Sequence, residues 1–276
     1  MSTARRRQLG SWLTKLRNQA GCSVEDSAER LGCSTSKIRH LEAGRSKIKK
    51  VELTKLLDLY EASDEVRAQL DETRKQAEER GWWSSYRLPE WFEPYVEFES
   101  TAVEVANFEL DLIPGLLQTE EYAREIHRAG RYDTDPRDID RRVKARMTRQ
   151  NRLSSDPPLQ LRAVVSEAAF HRQVGGPDVM KEQITHIIEQ CQRPNVILQL
   201  LPYEAGAHAS PSGTFVILSF PDQEESIGFL DTPLGGHTVD DEDEVSALRY
   251  LFDELRSVAL SAPASLDRLR RLVQAD

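Results

Sequence analysis

The first sixty residues contain short runs in which apolar residues recur at helical spacing. Leu9, Trp12, Leu13 and Leu16 form the first run, which ends at Gly21. Residues three and four positions apart share one face of a helix, and glycine favours the left-handed backbone that ends one. The spacing therefore predicts an amphipathic helix at the start of the chain.

Two shorter helices are predicted next, separated by a turn. Ser23 and Ser34 stand where hydroxyl N-caps are expected, and Gly32 and Gly44 stand where the helices should end. The helix after Ser34 has few apolar residues. Its outer face is left with polar side chains that could read a DNA groove, namely Thr35, Ser36, Lys37, Arg39 and His40.

A further apolar stripe from Val51 to Tyr60 completes a predicted all-α domain over residues 1–62. Residues 63–81 carry only a thin apolar stripe among charges and stop at Gly81. This pattern predicts a linker helix of about 25 Å at 1.5 Å per residue. Residues 82–276 would then form a second domain.

Strand-like runs appear only after Trp91. They are short, rich in β-branched residues and bounded by Pro, Gly or Asp, which predicts one small, mainly antiparallel sheet in an α+β domain. Pro221–Glu225 has the length of a hairpin connection, so the last two strands should pair antiparallel. The four runs are Leu159–Val165, Val196–Leu201, Thr214–Phe220 and Ser226–Leu230.

Amphipathic helices are predicted around these strands, over Val179–Cys191 and Glu242–Leu260. Another, Asp138–Leu153, carries many basic residues around a narrow apolar stripe. A charged run of this kind is usually a solvated face, and the alternative is a second DNA contact. The basic residues are Arg141, Arg142, Lys144, Arg146, Arg149 and Arg152.

The charge of the chain is unevenly distributed. Its 276 residues include 37 Lys and Arg against 46 Asp and Glu, a formal charge of −9. Residues 1–60 alone carry +7, which leaves −16 for the rest. A basic domain attached to an acidic one points to polyanion binding by the basic part, because phosphate neutralisation is a main source of affinity for nucleic acid.

Composition excludes several classes of protein. No apolar run approaches the ~20 residues of a membrane span, and the N-terminus lacks the apolar stretch of a secretory signal. The three cysteines Cys22, Cys33 and Cys191 include no Cys-x-x-Cys pair. These features predict a cytoplasmic protein without a membrane span or disulfide framework.

No enzyme chemistry is predicted. The six histidines show no metal-ligand spacing, and no phosphate-binding glycine loop or nucleophile elbow is present. The acidic run Asp240–Glu244 is explained by the favourable position of acids before a helix. We therefore expect no catalytic residue, cofactor or metal.

The segment Gly21–Arg45 resembles the Xre/Cro family of phage-repressor-type DNA-binding domains. The resemblance implies a five-helix domain whose third helix enters the major groove. By position it implies base contacts from Thr35, Ser36, Arg39 and His40, with Arg39 the best candidate for a guanine. It also implies contacts with the DNA backbone from Ser34, Lys37, Arg45, Lys47 and Lys49.

The chain departs from that family at three positions. Val24 stands where the family often has a glutamine that binds phosphate. Cys22 and Cys33 stand where aliphatic residues are preferred. We interpret both as small core residues, and the alternative is a redox-sensitive pair.

The phrases Leu112–Ala123, Ser166–Pro177 and Leu200–His208 resemble the C-terminal domain of WhiJ-like, Xre-headed regulators of actinobacteria, abundant in Streptomyces. That resemblance implies developmental or antibiotic-linked transcription, often beside a small partner protein. The loops Ile113–Gln118, Val174–Pro177 and Glu204–Pro211 are either architectural or converge on a pocket for a ligand or partner. The candidate pocket residues are Pro114, Gln118, Gly175, Gly176 and His208.

Together these observations predict a transcriptional regulator that binds double-stranded DNA at a specific sequence. A homodimer is expected, since one recognition helix reads too few bases for selectivity. The second domain would bind a small-molecule effector or a small partner protein. The alternative is an antitoxin-like interaction protein that binds a small partner protein and autoregulates its own operon.

Overall fold

The structure is a computed structural model that describes residues 4–77, 81–130, 135–221 and 225–275. The chain divides into two compact units, residues 1–82 and 83–276. Each unit has a hydrophobic core of its own. None of the described helices combines the length and the apolar composition that a membrane crossing requires.

The described part of the first unit is all-α, as predicted. Its second and third helices begin at the predicted caps: Ser23 Oγ accepts the Asp26 amide at 3.0 Å, and Ser34 Oγ accepts the Lys37 amide at 3.3 Å. Gly32 ends the second helix with φ 66°. The helices are α1 (Ala4–Gln19), α2 (Val24–Leu31), α3 (Thr35–Glu42), α4 (Lys50–Leu59) and α5 (Asp64–Gln76).

The helix α5 differs from the predicted linker. Its Leu70 is only 1% exposed and lies in the same core cluster as Leu9 and Leu13 of α1. Arg5 Nη1 also donates to the Gln76 carbonyl at 2.7 Å. A single buried leucine is enough to dock a helix whose other residues are charged, so α5 is the fifth helix of the first unit. Residues 78–80 of the predicted linker lie outside the described residues.

Cys22 and Cys33 are free thiols, each partly buried against the core of the first unit. This placement agrees with their interpretation as small core residues. A redox role for the pair stays a prediction.

The second unit combines helices with one sheet. Short 3-10 helices occur at Gly115–Leu117, Asn151–Ser154 and Tyr203–Ala205. The helices are α6 (Glu93–Thr101), α7 (Glu120–Ala129), α8 (Pro136–Gln150), α9 (Glu167–His171), α10 (Pro177–Gln190), α11 (Glu242–Val258) and α12 (Ala262–Ala275). The strands are β1 (Glu104–Glu109), β2 (Gln160–Ser166), β3 (Val196–Leu201), β4 (Phe215–Ser219), β5 (Ile227–Thr232) and β6 (Gly235–Val239).

The sheet is larger than predicted and mixed. Its order is β3-β2-β1-β4-β5-β6, with six strands among the described residues. Strands β1, β2 and β3 run parallel, whereas β1–β4, β4–β5 and β5–β6 are antiparallel. The predicted sheet is therefore too small, and the prediction missed the two parallel pairings, although the other three pairings are antiparallel. The antiparallel pairing of β4 with β5 is confirmed, and residues 222–224 of their connection lie outside the described residues.

The two strands that the sequence did not reveal have unusual compositions. β1 carries Glu104, Asn107 and Glu109, yet it is central because β2 and β4 flank it. β6 begins with two glycines, which weaken a strand pattern. At Gly236 a Cβ atom would lie 1.9 Å from the ring of Phe229, so any side chain there would have to displace this ring.

The two faces of the sheet have different environments. Successive side chains on a strand point to opposite faces. Ala106 and Phe108 of β1 belong to the apolar cluster that also contains Phe252 and Leu255 of α11. Val105, Asn107 and Glu109 alternate with these residues along β1 and therefore lie on the opposite face, where the sheet borders a cavity.

Candidate functional site

In the first unit, the candidate site is the outer face of α3. Ser36, Arg39 and His40 are exposed and Thr35 is half-buried. Residues four apart lie on the same side of a helix, so Thr35 lies beside Arg39 and Ser36 beside His40. The four predicted base-contacting residues thus form one polar surface.

The inner face of α3 is fixed by packing. Ile38 is 1% and Leu41 3% exposed. At the C-terminal end of α3, Glu42 receives hydrogen bonds from Arg17 of α1 through Nε at 2.6 Å and Nη2 at 3.1 Å. Because Ile38, Leu41 and Glu42 all bind α3 to the rest of the unit, its opposite face is held in a defined orientation toward solvent.

Gly10 of α1 makes this packing possible. A Cβ atom at Gly10 would lie 2.1 Å from the Glu42 carbonyl oxygen and 2.7 Å from that of Leu41. Such distances are shorter than any real contact, so α1 and α3 cross at a point that only glycine tolerates. Nothing in the apolar pattern of α1 distinguishes this residue.

The predicted contacts with the DNA backbone have mixed environments. Arg45, Lys47 and Lys49 are exposed in the segment between α3 and α4. Ser34 is also exposed, and its hydroxyl caps α3. Lys37 Nζ instead lies 2.5 Å from Glu52 Oε1. A phosphate contact by Lys37 would therefore compete with this ion pair, whereas the other side chains are available.

In the second unit, the candidate site is a cavity of about 540 Å³. It lies between the sheet face that carries Asn107 and Glu109 and the segment 110–118, with α8 also in its wall. Its volume is typical of small-molecule sites, as is its mainly apolar wall with a few polar groups. Apolar wall residues include Phe92, Leu110, Ile113, Leu116, Phe215 and Phe229.

Buried amides hold the segment 113–118 against the helices. Gln118 Nε2 donates to the Ile113 carbonyl at 2.8 Å, closing the loop on itself. From α10, Gln183 donates to the Leu117 carbonyl and accepts the Thr119 amide, both at 2.7 Å. Gln183 and Gln118 are at most 2% exposed. The loop is a rigid wall because its backbone groups are satisfied by buried side chains.

The helix α8 sends two arginines inward, which differs from the interpretation of its basic run as a solvated face. Arg149 forms a buried ion pair with Glu99 of α6, and the Tyr95 hydroxyl donates to the same carboxylate at 2.9 Å. Arg146 lines the cavity and donates to Gln118 Oε1 at 2.5 Å. These two arginines are therefore occupied in the interior and unsuited to a DNA contact.

Acidic groups occupy the sheet side of the cavity. Burial raises the pKa of Glu109 to about 8; the charge of Asp231 adds to the rise and Arg146 opposes it. Burial also raises the pKa of Asp231. Both carboxyls border the cavity, where Glu109 is half-buried and Asp231 is exposed. Their position together in a partly apolar space disfavours simultaneous ionisation.

Asn107 stands beside Glu109 on β1 and is only 5% exposed. Its Nδ2 donates to Glu109 Oε1 at 3.3 Å. Its Oδ1 has no hydrogen-bond partner within the described part of the chain. A buried oxygen without a donor is costly, which marks this point of the cavity wall as an unfilled acceptor.

The five predicted pocket residues do not converge on one site. Pro114 and Gln118 line the cavity, whereas Gly175, Gly176 and His208 do not. Gly176 is the N-cap of α10, and Gly175 has φ 71° in the preceding turn. The ring of His208 lies 5.8 Å from that of Phe108, on the opposite face of the sheet. Four further residues that line the cavity were not predicted from the sequence as site residues: Asn107, Glu109, Arg146 and Asp231.

Comparison with protein families agrees with this division. A helix-turn-helix domain family matches residues 8–70 and so extends into α5; this class of domain indicates a DNA-binding regulator. The domain-of-unknown-function family DUF5753 matches residues 92–271. Because that match covers more than half of the chain, the protein belongs to the DUF5753 family. Neither a curated protein nor a solved structure matches the chain.

Proposed function

We propose that this protein is a sequence-specific transcriptional regulator of the Xre/Cro type, related to the WhiJ-like regulators of actinobacteria, and acts in the cytoplasm. The observation that carries the proposal is the polar outer face of α3 in a helix-turn-helix domain. Ser36, Arg39 and His40 are exposed there, while Ile38 and Leu41 fix the inner face. This arrangement supports insertion of α3 into the major groove.

The roles of individual side chains follow from their chemistry. The planar guanidinium of Arg39 can donate to both acceptors of a guanine edge, and Thr35, Ser36 and His40 can bond neighbouring base edges. The exposed Arg45, Lys47 and Lys49 would neutralise phosphates and set the register on the duplex. Ser34 would donate to a phosphate, and Lys37 would contribute when it exchanges Glu52 for a phosphate.

We propose a homodimer on DNA. One helix reads few base pairs, so two copies on half-sites about one helical turn apart are the expected arrangement. The acidic charge of residues 61–276 favours specific over non-specific DNA binding, because it repels DNA outside the specific contact. No catalytic step is part of the proposal.

The second unit is proposed to sense an effector. The 540 Å³ cavity with its unfilled acceptor favours a small molecule over a protein partner. An antitoxin-like role remains the alternative for this unit. Co-purification of a small protein with the full-length chain from its native host would favour that alternative.

The test is selection of binding sites from random DNA with the purified full-length protein, followed by mobility shift at several salt concentrations. A palindromic site with half-sites about one turn apart, and an affinity that falls steeply with salt, is the expected result. Enrichment of a single unrepeated site would overturn the dimer. Absence of any enriched sequence would overturn sequence-specific recognition.

A further inference from the structure

Strand register brings the two acidic groups of the cavity to one level of the sheet. Phe108 of β1 is paired with Phe215 of β4, and Phe215 with Leu230 of β5. Glu109 and Asp231 each follow by one residue, on the two sides of β4. Adjacent strands lie about 4.8 Å apart, so the two backbones are separated by roughly 10 Å. Two acidic side chains at that spacing can converge on one small group.

The protein supplies one arginine for two carboxyls in the cavity wall, so the wall carries a net negative charge whenever both carboxyls are ionised. Arg149 is fully engaged by Glu99, and the carboxylate of Asp111 is paired with Arg172. Arg146 is then left to face both Glu109 and Asp231. A positively charged ligand would balance the second carboxylate. A ligand with a carboxylate would instead add a third negative charge beside a single arginine.

Hydrogen-bonding capacity points to the same kind of ligand. Asn107 Oδ1 is an acceptor without a donor, and the carboxyl oxygens of Glu109 and Asp231 are further acceptors at the same wall. A protonated amine supplies three donors from one centre, and its positive charge favours the form of the cavity in which both carboxyls are ionised. The opposite wall is apolar, with Leu110, Ile113 and Leu116, and would bury a hydrocarbon or aromatic body.

We propose that the cavity binds an organic cation, a protonated amine on an apolar body, with the ammonium group held by Glu109, Asp231 and Asn107 Oδ1. This inference deepens the proposed sensor role and depends on that role only for its regulatory meaning. Binding itself is measurable without DNA, on the full-length protein.

Amine binding is expected to release a proton. Glu109 is faced by Tyr95 from α6, Tyr122 from α7, Arg146 from α8 and Asp231 from β5. With a pKa of about 8, its carboxyl is largely neutral at pH 7. An ammonium group beside it favours the ionised form, so the proton passes to the buffer.

The probes are three matched indoles: tryptamine, which is cationic; N-acetyltryptamine, which is neutral; and indole-3-propionate, which is anionic. Isothermal titration at pH 7 should show tryptamine binding more tightly than either analogue by about tenfold or more. Titration in two buffers of different ionisation enthalpy should show release approaching one proton per tryptamine.

Matched variants test the assigned contacts. Glu109→Gln should lower the tryptamine affinity by about tenfold or more and abolish proton release. Asp231→Asn, at the more exposed position, should lower the affinity as well and is the second test if Glu109→Gln fails to fold. Glu104→Gln alters the same strand outside the cavity, where Glu104 pairs with Arg162, and should leave binding unchanged.

Several outcomes overturn the inference: no tryptamine binding at millimolar concentration, equal binding of the neutral analogue, tighter binding of the anion, or full affinity in the folded Glu109→Gln protein. Mobility shift on the selected DNA separates this failure from failure of the proposed function. Retained DNA binding without amine binding overturns only the ligand assignment. Amine binding without specific DNA binding overturns only the regulator.

Discussion

In the second unit, Arg149 donates two hydrogen bonds to the carboxylate of Glu99, from Nε to Oε1 at 2.6 Å and from Nη2 to Oε2 at 2.7 Å. The two side chains are 6% and 1% exposed. The guanidinium also lies 5.1 Å from the ring centres of Phe92 and Tyr95. The pair therefore connects α8 to α6 within the wall of the cavity.

Removal of one member of this pair should destabilise the second unit strongly. Arg149→Met leaves the Glu99 carboxylate buried without its partner, and the expected loss is about 3–5 kcal/mol in the free energy of unfolding. The double variant Glu99→Gln with Arg149→Met should lose less than the single one. Urea unfolding, followed at the transition of the second unit, measures both.

The matched control for this pair is Arg172→Met. Arg172 and Asp111 form an exposed ion pair, with side chains 54% and 60% accessible, and such pairs contribute about 0–1 kcal/mol. An equal effect of Arg149→Met and Arg172→Met would contradict the importance assigned to the buried pair.

A methyl group at Gly10 should destabilise the first unit. The new Cβ would lie 2.1 Å from the Glu42 carbonyl oxygen, so α1 and α3 must move apart. We expect Gly10→Ala to lower the stability of this unit by about 1–3 kcal/mol or more, despite the better helix propensity of alanine. Thermal unfolding by circular dichroism is the measurement. Ser11→Ala, exposed on the same helix, is the control and should be neutral or slightly stabilising.

The carboxyl of Glu109 should make stability depend on pH. Its pKa rises from about 4.5 to about 8 on folding, so between these values the folded protein holds a proton that the unfolded chain releases. Stability therefore falls as the pH rises through this window. Glu109→Gln mimics the protonated form and should gain stability over the wild type by roughly 1–3 kcal/mol at about pH 9, with little gain at about pH 4.

Chemical denaturation of both proteins across this pH range checks the prediction. The difference between the two curves isolates Glu109 from the other titrating groups. A constant difference at all pH values would show that the carboxyl titrates as an ordinary exposed glutamate. Glu104→Gln again serves as the control.

Arg39 should carry base specificity. Arg39→Ala is expected to cost about 1–3 kcal/mol on the preferred site and to relax the preference at one base position. Lys55→Ala removes an exposed charge from α4 and should weaken binding slightly and equally on all sequences. Mobility shift on the selected site and on single-base variants measures both. Equal loss on every sequence in Arg39→Ala would refute base reading by Arg39.

Local sequence was sufficient to predict the helices of the first unit up to α4. Caps such as Ser23 and Ser34 act within three residues, and the spacing of Ile38 and Leu41 orients α3 without reference to the rest of the chain. The exposed face of α3 follows from the same few residues. Local sequence does not show that α5 belongs to the first unit, because α5 docks through Leu70, which joins the same core cluster as residues of α1.

The strands and the site of the second unit could be predicted from the sequence to a smaller extent, because they depend on tertiary contacts. β1 is recognised as a strand only through its partners β2 and β4, since its own sequence contains three polar residues. The inward direction of Arg149 depends on Glu99, fifty residues earlier. Of the loops that the sequence singled out, only the one containing Pro114 and Gln118 lines the cavity.

The sequence by itself determined the class of this protein: a basic helical unit with a polar outer face on its third helix, followed by an acidic unit of helices and strands. Periodicity, capping and charge are properties of neighbouring residues and can be read in order along the chain. Tertiary structure alone decided which charges are buried and which acids share a cavity. The burial of Arg149 against Glu99 and the position of Glu109 and Asp231 in one cavity arise because sheet pairing and helix packing bring together residues that are far apart in sequence.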